Sequence, residues 1–279
     1  MRKIISLLAA VAITVCSFSA CGDSSSTADS SKAENSSLAE TTTTTSQSET
    51  ETTTTTTAET TTTTTTTTQA TTTAPQNQNR VVLDVKNIQQ KPELPRGSEI
   101  TCAAMLLNYY GISVTKMDML DYLLMGDLPK GGLGGNPAQE YIGNPKLDTG
   151  YGCDSSVIAI AIDEYFRKKK INDFNFTEFY EDDLVDLYKE IDKGNPVLIW
   201  ATVNMNNPVT KAQWTDYSGY PVIWTANEHC LVLIGYDKDK DTAIFSDPLD
   251  PKGTVEYPRS VAEKAYNAMS KQALAIYKK

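Results

Sequence analysis

Residues 89–111 read QQKPELPRGSEITCAAMLLNYYG and contain the clearest helix signal in the chain. Pro92 and Pro95 favour a loop, because proline fixes φ and carries no backbone N–H. From Ser98 to Tyr110, apolar side chains lie on nearly every side of a helical projection, and a glycine follows as a stop signal. A helix that is apolar all round is buried at the centre of a domain. The stretch therefore predicts a loop that leads into a central helix, with Ser98 at the N-terminal end of that helix.

Further elements follow from the spacing of the apolar residues along the chain. The predicted helices cover 98–110, 115–124, 157–170, 182–193 and 261–269. The predicted strands cover 81–88, 196–203, 230–236, 242–245 and 272–277, and a glycine-rich loop covers 126–152. Because most helices precede most strands, we expect an α+β domain and not alternating βαβ units.

Composition and charge exclude two classes of function. The chain has 279 residues, a formal net charge of −10 and one histidine, His229. One imidazole and no Cys-x-x-Cys pair argue against a zinc site, and we expect no cofactor. The acidity argues against nucleic acid as the main partner, since that partner requires a concentrated basic patch. Any chemistry that uses imidazole must therefore pass through His229.

The N-terminus has the features of a secretory signal peptide over residues 1–20. A cationic start precedes an apolar run, Ile4 to Val15, which is too short to span a bilayer. Small residues then precede Cys21, an arrangement that resembles the lipobox of bacterial lipoproteins. The resemblance implies a lipidated Cys21 and a protein held by acyl chains on the extracellular face of the cell membrane. Ordinary cleavage near Ala20, with release of a soluble product, is the alternative.

Residues 21–80 are almost entirely threonine, serine, alanine, glutamate and glutamine. A segment without an apolar face cannot bury enough surface to fold, so we expect a disordered stalk. Residues 81–279 then form one domain, and that length is ample for a hydrophobic core.

Three segments of this domain carry residues suited to acyl transfer. Ser98 lies at the N-terminus of the central helix, where backbone N–H groups and the helix dipole favour negative charge. His229 begins an apolar strand, and Asp247 follows the next strand, where a carboxylate can orient an imidazole. A nucleophile, a base and an orienting group are the parts that acyl transfer requires.

Residues 81–279 resemble the papain-like cysteine peptidases of family thirty-nine, the bacteriocin-processing type, in the free-standing peptidase C39-like branch. The matching blocks are Pro92-Glu93-Leu94-Pro95-Arg96-Gly97, the helix over 103–111, Gly143-Asn144-Pro145, Gly150-Tyr151-Gly152-Cys153, Gly194-Asn195-Pro196-Val197, Trp224 to Cys230, and Asp247-Pro248-Leu249. The resemblance implies a papain-like fold, in which the nucleophile helix packs on a C-terminal antiparallel sheet. It also implies peptide substrates and makes Gln90 the oxyanion-hole glutamine, with the neighbouring Gln89 as the alternative.

The chain departs from the family at the nucleophile, because Ser98 stands where the family has cysteine. Ser98 can be a helix N-cap in a domain that has lost catalysis, or the nucleophile of a Ser98-His229-Asp247 hydrolase. It can also be a substitution made to trap an intact protein. Cys102 is a further candidate nucleophile, although its position favours a buried apolar residue.

Each of the other site residues also has a structural interpretation. His229 can be a hydrogen-bonded structural histidine, Asp247 can cap a turn before proline, and Gln90 can be a solvated loop amide. The sequence therefore leaves two functions open for a cell-surface protein. One is peptidase-like hydrolysis of extracellular peptides, and the other is a catalytically inactive module that binds peptides or wall components.

Overall fold

The computed structural model of the protein describes residues 79–279. The predicted signal peptide, the predicted lipidation site at Cys21 and nearly all of the predicted stalk lie outside the described residues. Arg80, which the sequence assigns to the stalk, is instead the first residue of strand β1 (Arg80–Val82). Its guanidinium binds Asp237 at 3.1 Å and Glu256 at 2.6 Å, which ties the residue to the domain. Across residues 79–279, no helix is long and apolar enough to cross a membrane.

The other elements of the described part follow in chain order. The helices are α1 (Ser98–Tyr109), α2 (Lys116–Leu120), α3 (Ser155–Lys169), α4 (Tyr188–Asp192) and α5 (Arg259–Ala268). The strands after β1 are β2 (Met125–Gly126), β3 (Leu133–Gly134), β4 (Tyr141–Ile142), β5 (Phe174–Phe179), β6 (Val197–Thr202), β7 (Thr210–Asp216), β8 (Pro221–Thr225), β9 (Glu228–Asp237), β10 (Thr242–Ser246), β11 (Thr254–Pro258) and β12 (Ala273–Lys278).

Seven strands form the main sheet, and every pairing in it is antiparallel. The order is β11-β10-β9-β6-β12-β5, with β1 also paired to β9. On one edge of β9, β6 pairs with residues 228–233 and β1 with residues 235–237. On the opposite edge, β10 pairs only with residues 232–237. Residues 228–231 therefore have a neighbouring strand on one edge alone, and the site is built at the other edge.

Helices cover both faces of this sheet. Helices α1 and α3 pack on one face, where Leu106 and Val157 meet Trp200 of β6 in a continuous buried core. Helices α4 and α5 cover the other face, where Tyr266 packs with Phe245 of β10. The predicted α+β class, with α1 packed on a C-terminal antiparallel sheet, is confirmed.

Most predicted elements are present to within two residues at each end, but three are shorter. The strand predicted over 81–88 ends at Val82, because the chain then turns toward the segment that follows β10. There, Asn87 Nδ2 donates to Ser246 Oγ at 3.0 Å, and Gln89 Nε2 donates to the Asp250 carbonyl at 2.9 Å. These side-chain bonds replace the strand pairing that the apolar pattern indicates.

The other two shortened elements are helices. The helix predicted over 115–124 stops at Leu120, after which i→i+3 hydrogen bonds close turns instead of further helix. The helix predicted over 182–193 is reduced to α4, because residues 184–187 form turns. One of those turns is held by Asp183, whose carboxylate binds Lys271 at 2.6 Å.

Strands β5, β7, β8 and β11 are absent from the sequence prediction. Their side chains alternate between buried or half-buried and exposed positions, with many polar residues, and they lack a long apolar run. Such strands depend on neighbours for their stability, and single-sequence periodicity does not report those neighbours. Strands β7 and β8 form a hairpin beside β3, outside the main sheet.

Candidate active site

Ser98 is the first residue of α1, and it is 5% exposed. Its Oγ accepts a hydrogen bond from the backbone N–H of Cys230 at 3.2 Å and donates one to Glu99 Oε2 at 3.1 Å. The N-cap of α1 is Gly97, and no side chain caps this helix. The alternative in which Ser98 is the N-cap is therefore wrong, since its hydroxyl binds the sheet and a neighbouring carboxyl group.

The short strand β10 explains how the serine reaches the sheet. Strand β10 ends at Ser246, opposite Val232, so no strand covers Cys230 on that edge of β9. A buried backbone N–H must find an acceptor, and the Oγ of Ser98 supplies one. The N-terminus of α1 thus occupies the place that a longer β10 would take.

His229 and Asp247 form a buried pair at the same edge. His229 Nε2 lies 2.8 Å from Asp247 Oδ1, and the two side chains are each 3% exposed. Burial favours a raised pKa for Asp247, but the hydrogen bond and charge of His229 outweigh it. Backbone N–H groups, including that of Leu249, help to hold the pKa of Asp247 below its usual value. The carboxylate thus fixes one imidazole nitrogen and leaves Nδ1 for another partner.

Gln90, and not Gln89, lies at the site. Gln90 is 3% exposed, and its Nε2 donates to the Pro95 carbonyl at 2.9 Å. The Oε1 atom of Gln90 is buried without a hydrogen-bond partner. The side chain of Gln89 points elsewhere, toward Asn87 and Asp250.

One narrow cleft, with a volume of about 40 Å³, joins these residues. Gln90, Ser98 and His229 all line it, and Asp247 lies behind the imidazole. The four residues predicted from the sequence thus meet at one place, although the Ser98 hydroxyl donates its hydrogen to Glu99 and not to His229. The rest of the lining is Pro95, Arg96, Tyr151, Val203, Glu228 and Leu249.

Comparison with known proteins identifies the family to which this arrangement belongs. Residues 82–274 match the profile of the Peptidase_C39 like family. The chain is a member of that family. The predicted family is confirmed, and residues 82–274 are the C39-like domain of the chain.

Two relatives show how far the similarity extends. The uncharacterized protein YvpB of Bacillus subtilis is 31% identical over 194 residues, which cover 69% of this chain and 73% of YvpB. The crystal structure of a proposed C39-like peptidase from Bacillus anthracis is 32% identical, with a TM-score of 0.64. That similarity covers 72% of this chain and 98% of the other, so the whole C39-like fold is shared.

Two buried carboxyl groups of the C39-like domain, Glu99 and Glu228, were missed by sequence reasoning. Glu99 is 1% exposed, and its Oε1 accepts the N–H of Cys153 at 3.2 Å. Glu228 is 8% exposed and lies 3.6 Å from the Cys230 thiol. Both carboxyl groups face Gly152, where a Cβ would lie 2.7 Å from Glu99 Oε1 and 2.9 Å from Glu228 Oε2. Each glutamate directly adjoins a predicted site residue in the sequence, but nothing in the sequence signals its burial.

Burial shifts the acidity of both glutamates. Burial raises the pKa of Glu99 to about 7, although N–H groups and the Ser98 hydroxyl act in the opposite direction. Burial, followed by the nearby Glu99 carboxyl, raises the pKa of Glu228 well above its usual value. The C39-like domain therefore holds one carboxyl group beside its nucleophile position that titrates near neutral pH.

The three cysteines of the described region are free thiols with 0% exposure: Cys102, Cys153 and Cys230. Burial raises the pKa of the Cys102 thiol, whose Sγ donates to the Cys230 carbonyl at 3.4 Å. A buried thiol of raised pKa is a poor nucleophile, so Cys102 is a core residue and not a displaced nucleophile. In residues 79–279, no cluster of three or more His, Cys, Asp or Glu side chains is arranged to hold a metal ion.

Lys116 anchors the loop that carries Gln90. Thr115 caps α2 through a reciprocal pair of hydrogen bonds with Asp118, and this fixes the start of the helix. The Nζ of Lys116 then donates to the carbonyls of Gln89 at 2.5 Å and Gln90 at 2.9 Å. It also binds the Glu93 carboxylate at 2.7 Å.

The substitution Lys116→Met tests this anchor. It keeps the apolar stem but leaves two backbone carbonyls without their charged donor, so we expect the free energy of unfolding to fall by about 2 kcal/mol. Urea denaturation followed by circular dichroism measures the change. Lys146→Met, at an exposed loop position, is the control and should change stability by less than about 0.5 kcal/mol. Equal stability of the two variants contradicts the anchoring role.

Proposed function

We propose that the protein is a cell-surface hydrolase that opens peptide or related amide bonds through an acyl intermediate on Ser98. The observation that carries the proposal is the single cleft that holds Gln90, Ser98 and His229, with Asp247 fixed to the imidazole at 2.8 Å. Ser98 attacks the carbonyl carbon, and His229 exchanges protons with the leaving group and with water. Asp247 keeps the imidazole in place.

The start of α1 supplies the means to stabilise the oxyanion. The first N–H groups of a helix have no partner within that helix, and the dipole places positive charge there. The backbone N–H of Ser98 belongs to this first turn. Gln90 Nε2 has a second hydrogen beyond the one given to Pro95, and it lines the same cleft. Each hydrogen-bond donor to the developing charge can increase the reaction rate about 100-fold or more.

The alternative function is a catalytically inactive module that binds extracellular peptides. One observation favours it, namely that the Ser98 hydroxyl is bound by Glu99 and Cys230 instead of His229. The lack of a Ser98–His229 hydrogen bond is compatible with catalysis, because catalytic hydrogen bonds often form or shorten only when substrate binds. We therefore place hydrolysis first.

A fluorophosphonate probe separates the two functions. We expect covalent labelling at Ser98, found by mass spectrometry of the digested protein, because the probe reacts with activated serine hydroxyls. Ser98→Ala should abolish the label. Ser218→Ala, at an exposed serine of the β7–β8 turn, should leave it unchanged. An unlabelled wild-type protein that still binds peptides would establish the binding module.

The place of action rests on the sequence of residues 1–20 and Cys21. We propose that acyl chains on Cys21 hold the protein at the outer face of the membrane, with residues 22–80 as a spacer. Cys21→Ser should move the protein from the membrane fraction to the medium, or leave it as an uncleaved precursor. Cys16→Ser, five residues upstream, is the control and should remain acylated and membrane-bound. An unmodified, fully secreted wild-type protein contradicts the anchor.

A further inference from the structure

The hydroxyl group of Ser98 already donates its hydrogen bond to a carboxyl group. A serine hydroxyl has one hydrogen to donate, and here it points to Glu99 Oε2 at 3.1 Å. The oxygen of the same hydroxyl accepts the N–H of Cys230. The group that receives the proton in this arrangement is therefore a carboxyl oxygen of Glu99.

The carboxyl group of Glu99 is held so that Oε2 faces the serine. Its Oε1 accepts the backbone N–H of Cys153 at 3.2 Å, and Trp200 fixes that segment by donating to the Cys153 carbonyl at 2.8 Å. Glu99 also lies in the first turn of α1, where the helix dipole favours a negative charge. A carboxylate in this place is both oriented and available as a proton acceptor.

We propose that Glu99 is the base that removes the proton from Ser98, while the His229–Asp247 pair serves the leaving group and the attacking water. This inference rests on the proposed hydrolase function and assigns a further catalytic residue to it. The raised pKa of Glu99, about 7, makes the carboxylate about as basic as an unperturbed imidazole.

The proposed steps balance in protons and electrons. The Oγ–H bond of Ser98 breaks toward Glu99 as the Oγ–C bond forms, and the carbonyl π electrons move to the oxyanion. The C–N bond then breaks, and protonated His229 gives its proton to the leaving nitrogen. In the second half, water attacks the acyl carbon and gives a proton to His229. The acyl C–Oγ bond breaks, and Glu99 returns its proton to Ser98.

Several titratable groups surround Glu99 and influence its ionisation near neutral pH. Burial, followed by the nearby Glu99 carboxyl, raises the pKa of Glu228 well above the usual value, which favours the protonated form of Glu228. The guanidinium of Arg96 favours the ionised form of Glu99. Burial raises the pKa values of the neighbouring thiols and of Tyr141, so these groups stay neutral. The titratable groups that interact electrostatically with the two glutamates include Arg96, Cys102, Tyr141, Cys153, Asp154 and Cys230, and His229 lines the same cleft as Glu228.

The rate of fluorophosphonate labelling as a function of pH tests the assignment. The fluoride leaving group of the probe needs no proton. Labelling therefore requires Glu99 as the base but does not require His229 as the acid. We expect the wild-type rate to rise with pH through about 7, because Glu99 must be ionised to accept the proton. Glu99→Gln should abolish this rise and lower the rate at pH 7.5 by at least about 100-fold. His229→Asn should keep the rise and lose less than about 10-fold in rate.

The control is Glu164→Gln, at a half-buried position of α3 where the carboxylate pairs with Arg167, and it should label at the wild-type rate. Two results overturn the proposal. In the first, the rise persists in Glu99→Gln and disappears in His229→Asn, which makes His229 the base. In the second, Glu99→Gln is labelled faster than wild type, which makes Glu99 a restraint on the hydroxyl.

A second measurement does not depend on serine chemistry. In Ser98→Cys, the pH dependence of alkylation by iodoacetamide gives the pKa of the new thiol. An ionised Glu99 beside it opposes thiolate formation, so adding Glu99→Gln should lower that pKa by at least about one unit. Adding Glu164→Gln should not shift it. If the wild type is unlabelled by the fluorophosphonate probe, the hydrolase proposal fails. If Glu99→Gln leaves the thiol pKa of Ser98→Cys unchanged, the contact between Glu99 and position 98 is overturned independently.

Discussion

The end of β10 at Ser246 is the constraint on which the site depends. Because β10 stops there, residues 228–231 of β9 have no strand on that edge. The vacant edge is filled by the N-terminus of α1, whose first side chain accepts the Cys230 N–H at 3.2 Å. The residue directly after β10 is Asp247, which reaches His229 at 2.8 Å. Nucleophile position, imidazole and orienting carboxylate thus converge because one strand is shorter than its neighbour.

The same edge concentrates acidic groups in a buried region. Glu99, Glu228 and Asp247 are all less than one-tenth exposed, and the charge of Asp247 alone is offset by an imidazole. Burying an unpaired carboxylate is costly, so burial raises the pKa of Glu99 to about 7 and raises the pKa of Glu228 well above its usual value. A thiolate would repel an ionised Glu99, whereas a hydroxyl stays neutral until it attacks.

The sequence predicts the parts of the fold that repeat a simple pattern. Helix α1 and strand β9 are apolar on all sides, so their burial follows from composition, and the blocks around Gln90, His229 and Asp247 locate the cleft. Strands such as β5 and β11 alternate weakly, and they exist because neighbouring strands pair with them. The burial of Glu99 and Glu228 also could not be predicted from the sequence. It arises from the approach of Gly152, which comes from a distant loop of the chain.

A crystal structure of the wild-type protein with a bound peptide aldehyde tests the central claim most directly, that this edge of β9 is an acyl-transfer site. We expect a covalent bond from Ser98 Oγ to the aldehyde carbon. We also expect the resulting oxygen to face the backbone N–H of Ser98 and the Nε2 of Gln90. A peptide bound in the cleft with its aldehyde intact, and with the Ser98 hydroxyl still donated to Glu99, would show that this edge of β9 is not an acyl-transfer site.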